Sequence, residues 1–156
     1  MLMEIIEADI DHCKLLFKWR NEYDTIMNSF SSKPIELNEH KDWFKKRLKS
    51  CNSKIWILYK NKKPIGQIRI EKNINNEWEI DYSIEKKYRG MGFGKHLISW
   101  CVENHSDKNL MALVKEGNAI SRRIFENLDF IVIKKENNIY QHLLKHHIFH
   151  LIVQVQ

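Results

Sequence analysis

Six consecutive residues carry the strongest chemical signal in the chain: Arg89-Gly90-Met91-Gly92-Phe93-Gly94, with Lys95 directly after them. The chain has 5 glycines, so three of them falling here marks the segment as a turn with a purpose. A glycine-rich turn leading from a strand into a helix binds phosphate for a physical reason. Backbone N–H groups converge there, the helix N-terminus is partially positive, and the missing side chains let a ligand approach the main chain closely. Arg89 and Lys95 add full positive charges on either side. Two familiar phosphate loops do not fit. A dinucleotide turn needs an acidic residue about 20 positions on, at the end of a strand, whereas Asp107 ends a helical pattern. A nucleoside-triphosphatase loop needs Gly-Lys-Ser/Thr, and His96 follows Lys95 here. Just upstream, Glu77, Glu79, Asp81 and Ser83 alternate with Trp78, Ile80, Tyr82 and Ile84. Alternation at this period puts the carboxylates on one face of a strand and the apolar residues on the other.

The elements that must position these groups follow from periodicity and turn chemistry. Residues 2–7 read as a short strand. Residues 9–21 read as a helix, with Asp9 or Asp11 as N-cap and Ile10, Cys13 and Phe17 on one face. Residues 24–35 read as a polar loop, and 36–49 as a second helix with Leu37, Phe44 and Leu48 on one stripe. Strands are expected at 54–60, 64–71 and 77–84, joined by hairpin turns at Asn61-Lys62-Lys63 and Asn73–Asn76. A helix over 92–105 would bury Leu97, Ile98, Cys101 and Val102. A strand at 109–114 and a helix at 119–128 follow, the latter with Ile120, Ile124, Phe125 and Leu128 on one side. A last hairpin, 130–135 with 139–144, turns at Asn137-Asn138. Helices and strands in this order predict an α/β (α+β) domain with a mixed sheet and helices packed on it.

With the elements placed, the glycine-rich turn resembles the Arg/Gln-x-x-Gly-x-Gly/Ala signature of the GNAT superfamily of N-acetyltransferases. The segment Asn118-Ala119-Ile120-Ser121, then Phe125, then Asp129-Phe130 resembles a second landmark of that family, Asn-x-x-Ala-x-x-x-Tyr-x-x-x-Gly-Phe. The element order is also similar, and the resemblance covers roughly residues 3–145. It implies the GNAT fold, a mixed, mostly antiparallel twisted sheet of about seven strands flanked by about four helices. It implies acetyl-CoA as acetyl donor and no metal. The coenzyme would be held by Ile84, Arg89, Gly90, Met91, Gly92, Phe93, Gly94, Lys95, Asn118, Ser121 and Phe125. The Ile84 N–H would polarise the acetyl carbonyl as an oxyanion donor. Glu79 stands where relatives place a catalytic carboxylate, so it would be the general base acting through water, with Asp81 as its substitute. Two positions depart from the pattern. Phe125 replaces the Tyr that protonates the leaving thiolate in many relatives, and Asp129 replaces a Gly.

The acceptor side is carried by the N-terminal half. Trp19-Arg20-Asn21, the Asn28-Ser29 loop, His40-x-x-Trp43-Phe44 and Gly66-x-x-Arg69 follow in an order that resembles a GNAT branch acting on nucleotide-linked amino sugars, of the pseudaminic acid type. This implies a UDP-linked amino-dideoxy sugar as the amine, with Arg20, Asn21, Ser29, His40, Trp43 and Arg69 as its contacts. Aromatic rings at Trp43 and Phe44 suit stacking, Arg20 suits a phosphate, and His40 suits a sugar hydroxyl. Core packing is the better explanation for at least two of Trp19, Trp43 and Phe44. Two rival readings are an enzyme acetylating the N-terminal amine of a ribosomal protein, and an acyl-CoA-binding module without turnover.

Composition bounds these readings. A chain of 156 residues with 43% hydrophobic and 29% charged side chains is one globular domain. The expected division is a catalytic domain over 1–145 and a C-terminal extension over 146–156. The net charge of +6 is spread along the chain rather than clustered, which argues for a small anionic ligand and against nucleic acid. No apolar run is long enough to span a membrane, and the N-terminus lacks the pattern of a signal peptide, so the cytoplasm is expected. Cys13, Cys51 and Cys101 are odd in number and far apart, the usage of reduced thiols. His142, His146, His147 and His150 have the spacing of helical metal ligands, but no carboxylate or thiolate joins them. The apolar end of the chain hints at a homodimer.

Overall fold

The computed structural model describes residues 1–144. The chain runs β1 (Met3–Glu7), a 3-10 turn (Ile10–His12), α1 (Cys13–Arg20), α2 (Tyr23–Asn28), α3 (Leu37–Lys49), β2 (Ser53–Lys60), β3 (Lys63–Lys72) and β4 (Trp78–Ile84). A second 3-10 turn (Lys86–Tyr88) leads to α4 (Phe93–Asn104), β5 (Leu110–Lys115), α5 (Ala119–Asn127), β6 (Phe130–Glu136) and β7 (Ile139–Leu144). All seven strands join one sheet in the order β1-β2-β3-β4-β5-β7-β6. Neighbours are antiparallel except β4 and β5, which are parallel and joined through α4.

Alternation along the strands builds two cores, one on each face of the sheet. Trp56, Leu58, Ile68, Ile70, Ile80 and Ile84 pack against Leu97, Ile98 and Cys101 of α4 and Phe125 of α5. On the other face Ile55 and Ile57 pack against Leu16 and Trp19 of α1 and Phe44 of α3. Each fully buried aliphatic side chain of this kind contributes about 1.5–3 kcal/mol. The hairpin turns rest on residues that tolerate the left-handed region. Asn61 and Lys62 have φ of 48° and 64°, and Asn137 and Asn138 have 50° and 61°. Positive φ at both central residues matches the twist of the flanking strands.

Several local expectations are corrected. The loop read over 24–35 contains α2, a six-residue helix with no buried side chain of its own, which tertiary contacts hold. Among the described residues there are therefore five α-helices rather than about four. Asp9 is the N-cap, accepting from Asp11 N while its own N–H donates to His12 Nδ1, and it caps a 3-10 turn ahead of α1. Ile10 is 52% exposed, outside the face formed by Cys13, Leu16 and Trp19. On α3 the buried positions are His40 and Phe44, with Leu37 and Leu48 at the margin. Ile120 is 75% exposed, because Ser121 and Phe125 take the inward face of α5. His142 lies in β7, a strand, so the helical metal spacing fails at its first residue. The extension 146–156, with His146, His147 and His150, lies outside the described residues.

The strand pair that matters most for function is the shortest one. β4 and β5 are in register only at Trp78↔Leu110 and Glu79↔Met111, and then diverge. On its other edge β4 stays paired with β3 along its whole length, from Lys72↔Trp78 to Gly66↔Ile84. Gly66 makes that close pairing possible. A Cβ there would sit 2.6 Å from Ile84 Cδ1 and 2.8 Å from Ser83 O. Gly66→Ala is expected to lower stability by about 1–3 kcal/mol through overpacking, read as a lower urea midpoint with an unchanged slope.

Candidate active site

The divergence of β4 and β5 opens a cleft of about 880 Å³. Its walls are residues 79–84 of β4, 113–115 of β5, the glycine-rich turn, the first turn of α5, and parts of α1, α2 and α3. Trp78 N donates to Asn109 O toward β5, and Glu85 N donates to Ile65 O toward β3. Alternation between these two bonds turns the N–H groups of Tyr82 and Ile84 to the β5 side, where β5 has already departed. The cleft is thus floored by main-chain donors that no strand satisfies.

At one end lies the glycine-rich turn. Gly90 and Gly92 have φ of 76° and 84°, and Gly92 caps α4. Among the described residues, none of the N–H groups of residues 90 to 95 donates to a protein acceptor. The turn therefore presents a row of free donors at the positive end of a helix, the arrangement that holds a diphosphate. Gly90, Gly92, Phe93, Gly94 and Lys95 line the cleft, whereas Met91 does not. Gly94 lets α4 pack on Tyr82, whose ring would lie 3.0 Å from an added Cβ.

Arg89 is placed differently from its expected role. Its Nη1 and Nη2 donate to Asp24 and Glu22 at 2.7 Å each, and its Nε donates to Ile84 O at 2.8 Å. Two carboxylates neutralise it, so its work is to tie α2 to the end of β4. Lys115 makes a second tie, donating to Met27 O and Ser32 Oγ at 2.9 Å and 2.7 Å. Sequence reasoning missed both ties, because nothing local in Glu22-Tyr23-Asp24 marks it as a partner for a residue 65 or more positions away.

At the other end, Glu79, Asp81 and Ser83 share the face of β4 that looks toward α1 and α3, as alternation predicts. Glu79 is half-buried and stands opposite Glu71 on β3. Burial raises its pKa above the usual carboxylate range, Asp81 and Glu71 add to that, and Arg69 opposes it. A carboxylate so placed is a stronger base than a solvated one. Asp81 is exposed and accepts from Gln67. Arg69 sits 3.7 Å from Glu71 and 3.8 Å from Asp81, with its guanidinium 5.1 Å from the centre of the Trp43 ring.

The expected acceptor residues divide. Arg20, Ser29, Trp43 and Arg69 line the cleft. Arg20 Nη2 donates to Ser31 Oγ, while Arg20 Nη1 and Trp19 Nε1 are buried with no partner among the described residues. Ser29 Oγ donates to Ile26 O and closes the end of α2. Asn21 points elsewhere: its side chain pairs with both the N–H and the C=O of Ile35, pinning the loop after α2. His40 is 2% exposed, with Nε2 donating to Cys13 O and its ring tilted or stacked against Phe17, Trp43 and Phe44. It joins α3 to α1 and also lines the cleft, and burial lowers its pKa.

On the cofactor side, Asn118 caps α5 by accepting from Ser121 N at 3.2 Å. Phe125 is buried against Tyr82 and Phe130. Tyr82 Oη and Ser121 Oγ are 2.9 Å apart in the cleft wall. Tyr82 was legible only as one of the strand's apolar-face residues. Its hydroxyl becomes a site group because α5 brings Ser121 to it.

Residues 2–131 match the acetyltransferase (GNAT) domain family. Acetyltransferase PseH of Campylobacter jejuni subsp. jejuni serotype O:23/36 (strain 81-176) is 24% identical over 147 residues, covering 92% of both chains. Among solved structures, a domain from Methanocaldococcus jannaschii superposes with a TM-score of 0.80 at 24% identity, over 92% of this chain and 97% of that one. Spermidine N-acetyltransferase from Vibrio cholerae in complex with CoA and spermine superposes with a TM-score of 0.74 at 17% identity, over 90% and 91%.

A carboxyl whose pKa is raised by folding destabilises the fold when ionised. The cost is absent where the group is protonated in both states and sets in as pH rises through the raised value. Glu79→Gln is therefore expected to raise the urea midpoint at about pH 8 by the equivalent of less than about 1 kcal/mol, solvent screening a half-buried carboxylate, and to leave it unchanged near pH 4.

Proposed function

This chain belongs to the GNAT acetyltransferase family, and from that premise we propose that it transfers an acetyl group from acetyl-CoA to the amine of a UDP-linked amino-dideoxy sugar, at the 4-amino position, in surface-glycan biosynthesis of the pseudaminic acid type. The observation that carries the acceptor class is the pair of buried, unpartnered donors in the cleft wall, Arg20 Nη1 and Trp19 Nε1. A buried donor without an acceptor costs about 1–3 kcal/mol, so the site is built to receive oxygen atoms such as those of a phosphate. The resemblance of the N-terminal half to amino-sugar acetyltransferases and the similarity to a protein named Acetyltransferase PseH support the same class.

Each part of the cleft then has a task. The free N–H groups of residues 90 to 95 hold the coenzyme's diphosphate at the start of α4. The thioester supplies an acyl group already activated for attack. Ile84 N–H, unpaired on the β5 side, donates to the carbonyl oxygen as it gains charge. Glu79 takes the amine proton through water, its burial making it basic enough for the role. Asp81, on the same face, adds to the rise of the Glu79 pKa and is its substitute as base. Arg20 meets the acceptor's phosphate, Ser29 and Arg69 flank the sugar, and Trp43 offers a face for stacking.

A peptide N-terminus, the rival acceptor, needs an open groove. Asp24, Thr25, Asn28 and residues 29 to 31 wall one side of the acceptor half here, and the amine assay below separates the two acceptors.

The assay is thiol release from acetyl-CoA with three amines: a UDP-4-amino-dideoxy sugar, spermidine and an alanyl peptide. Turnover is expected with the first. Preference for the peptide or the polyamine would overturn the acceptor assignment. Glu79→Gln is expected to lower kcat about 100-fold. Arg20→Ala is expected to raise KM for the nucleotide-linked sugar about tenfold, the loss of one charge-assisted hydrogen bond, while leaving KM for the free amino sugar unchanged.

A further inference from the structure

The face of β4 opposite Glu79 carries a phenol that lines the cleft, Tyr82. Tyr82 Oη lies 2.9 Å from Ser121 Oγ, and both side chains line the cleft. Two hydroxyls bring two protons, and the hydrogen bond between them engages one. Neither oxygen donates to any other acceptor among the described residues, so one O–H proton remains available to the cleft. The location is constrained by the strand. Residues 80–84 run along the unpaired edge of β4, from just past the carboxylate toward the glycine-rich turn. A thioester anchored at that turn and reaching Glu79 passes Tyr82, which is about 10 Å of strand from Glu79. Phe125, one turn beyond Ser121 and edge-on to the Tyr82 ring at 6.1 Å, has no proton to give.

We propose that Tyr82, paired with Ser121, is the proton donor to the departing thiolate, an assignment that rests on the acetyl-CoA reading above. The amine nitrogen forms the N–C bond from the Glu79 side of β4 and passes its proton through water to Glu79. The C–S bond breaks toward the α4 and α5 side, and the sulfur's electron pair takes the proton of the Tyr82–Ser121 pair. Solvent then returns a proton to the phenolate and Glu79 releases one, so no net proton is made or consumed. Opposite faces of one strand keep the base and the acid apart, so neither quenches the other. Burial holds the Tyr82 proton more firmly than in an ordinary phenol, with the Ser121 hydrogen bond partly opposing it. The donor therefore stays loaded across physiological pH. A serine hydroxyl alone is too weak an acid for this, which makes the phenol the source and Ser121 its positioning partner.

Tyr82→Phe removes the proton and keeps the ring. Its kcat is expected to fall about 100-fold with KM for acetyl-CoA within about twofold. The alkaline decline of kcat that marks a protonated donor should vanish from its pH profile. Ser121→Ala keeps the phenol, lowers kcat about tenfold and moves the alkaline decline to higher pH, because the bond that eased deprotonation is gone. Thermal midpoints and calorimetric CoA binding compare the folds. If Tyr82→Phe does not fold, the direction of the Ser121→Ala shift decides. Wild-type kcat and an unchanged alkaline decline in Tyr82→Phe overturn the proton-donor assignment alone. A wild-type protein that releases no thiol with any amine overturns both this assignment and the acetyl-transfer reading beneath it.

Discussion

Two residue pairs hold β4 to β5, and the cleft exists because the pairing stops there. A sheet normally satisfies every main-chain N–H and C=O along its interior strands, since an unpaired group in a dry core is costly. β4 is an interior strand by position, yet among the described residues most of one edge has no strand partner. Its side chains still sit in a core, because β3 pairs the other edge throughout and α4 covers one face. The result is a rigid strand with bare main-chain donors, lying between the phosphate-binding turn and the carboxylate face.

That geometry divides the cleft electrically. The turn end offers free N–H groups and a helix terminus, with Lys95 beside them. The other end offers Glu79 with Asp81 and Glu71 around it, and Arg69 opposing their charge in part. The positive charge of Arg89, adjacent to the turn in the chain, is removed from this field. It is neutralised by Glu22 and Asp24, and thereby fixes the wall of the acceptor half to the end of β4. One arginine thus couples the two halves mechanically at the edge of the anion site.

α2 shows how such coupling escapes local reasoning. Its six residues bury nothing and lack apolar periodicity, so a loop is the correct reading of the segment in isolation. It is helical because Arg89, after the second 3-10 turn, and Lys115, at the end of β5, hold its Asp24 carboxylate and its Met27 carbonyl. The same holds for His40 and Asn21. Their residue types suit a polar ligand, but packing turned one into a bond from α3 to α1 and the other into a pin on Ile35.

What the amino-acid sequence determined by itself was whatever depends on short-range regularity. The period-two alternation in 78–84 put Glu79 and Asp81 on one face and Tyr82 on the other. Paired Asn residues made a hairpin turn, Gly90 and Gly92 made the left-handed turn ahead of α4, and Asn118 made the cap of α5. These are properties of a few neighbouring residues, and the main chain obeys them wherever the segment lies. What only the tertiary structure decided was which groups are left without partners. The free N–H row, the unpaired edge of β4, the buried donors of Trp19 and Arg20, the neutralised Arg89 and the Tyr82–Ser121 pair all depend on contacts between distant segments. Long-range packing settles whether a polar group is satisfied by the protein or left for a ligand, and sequence spacing carries no record of it.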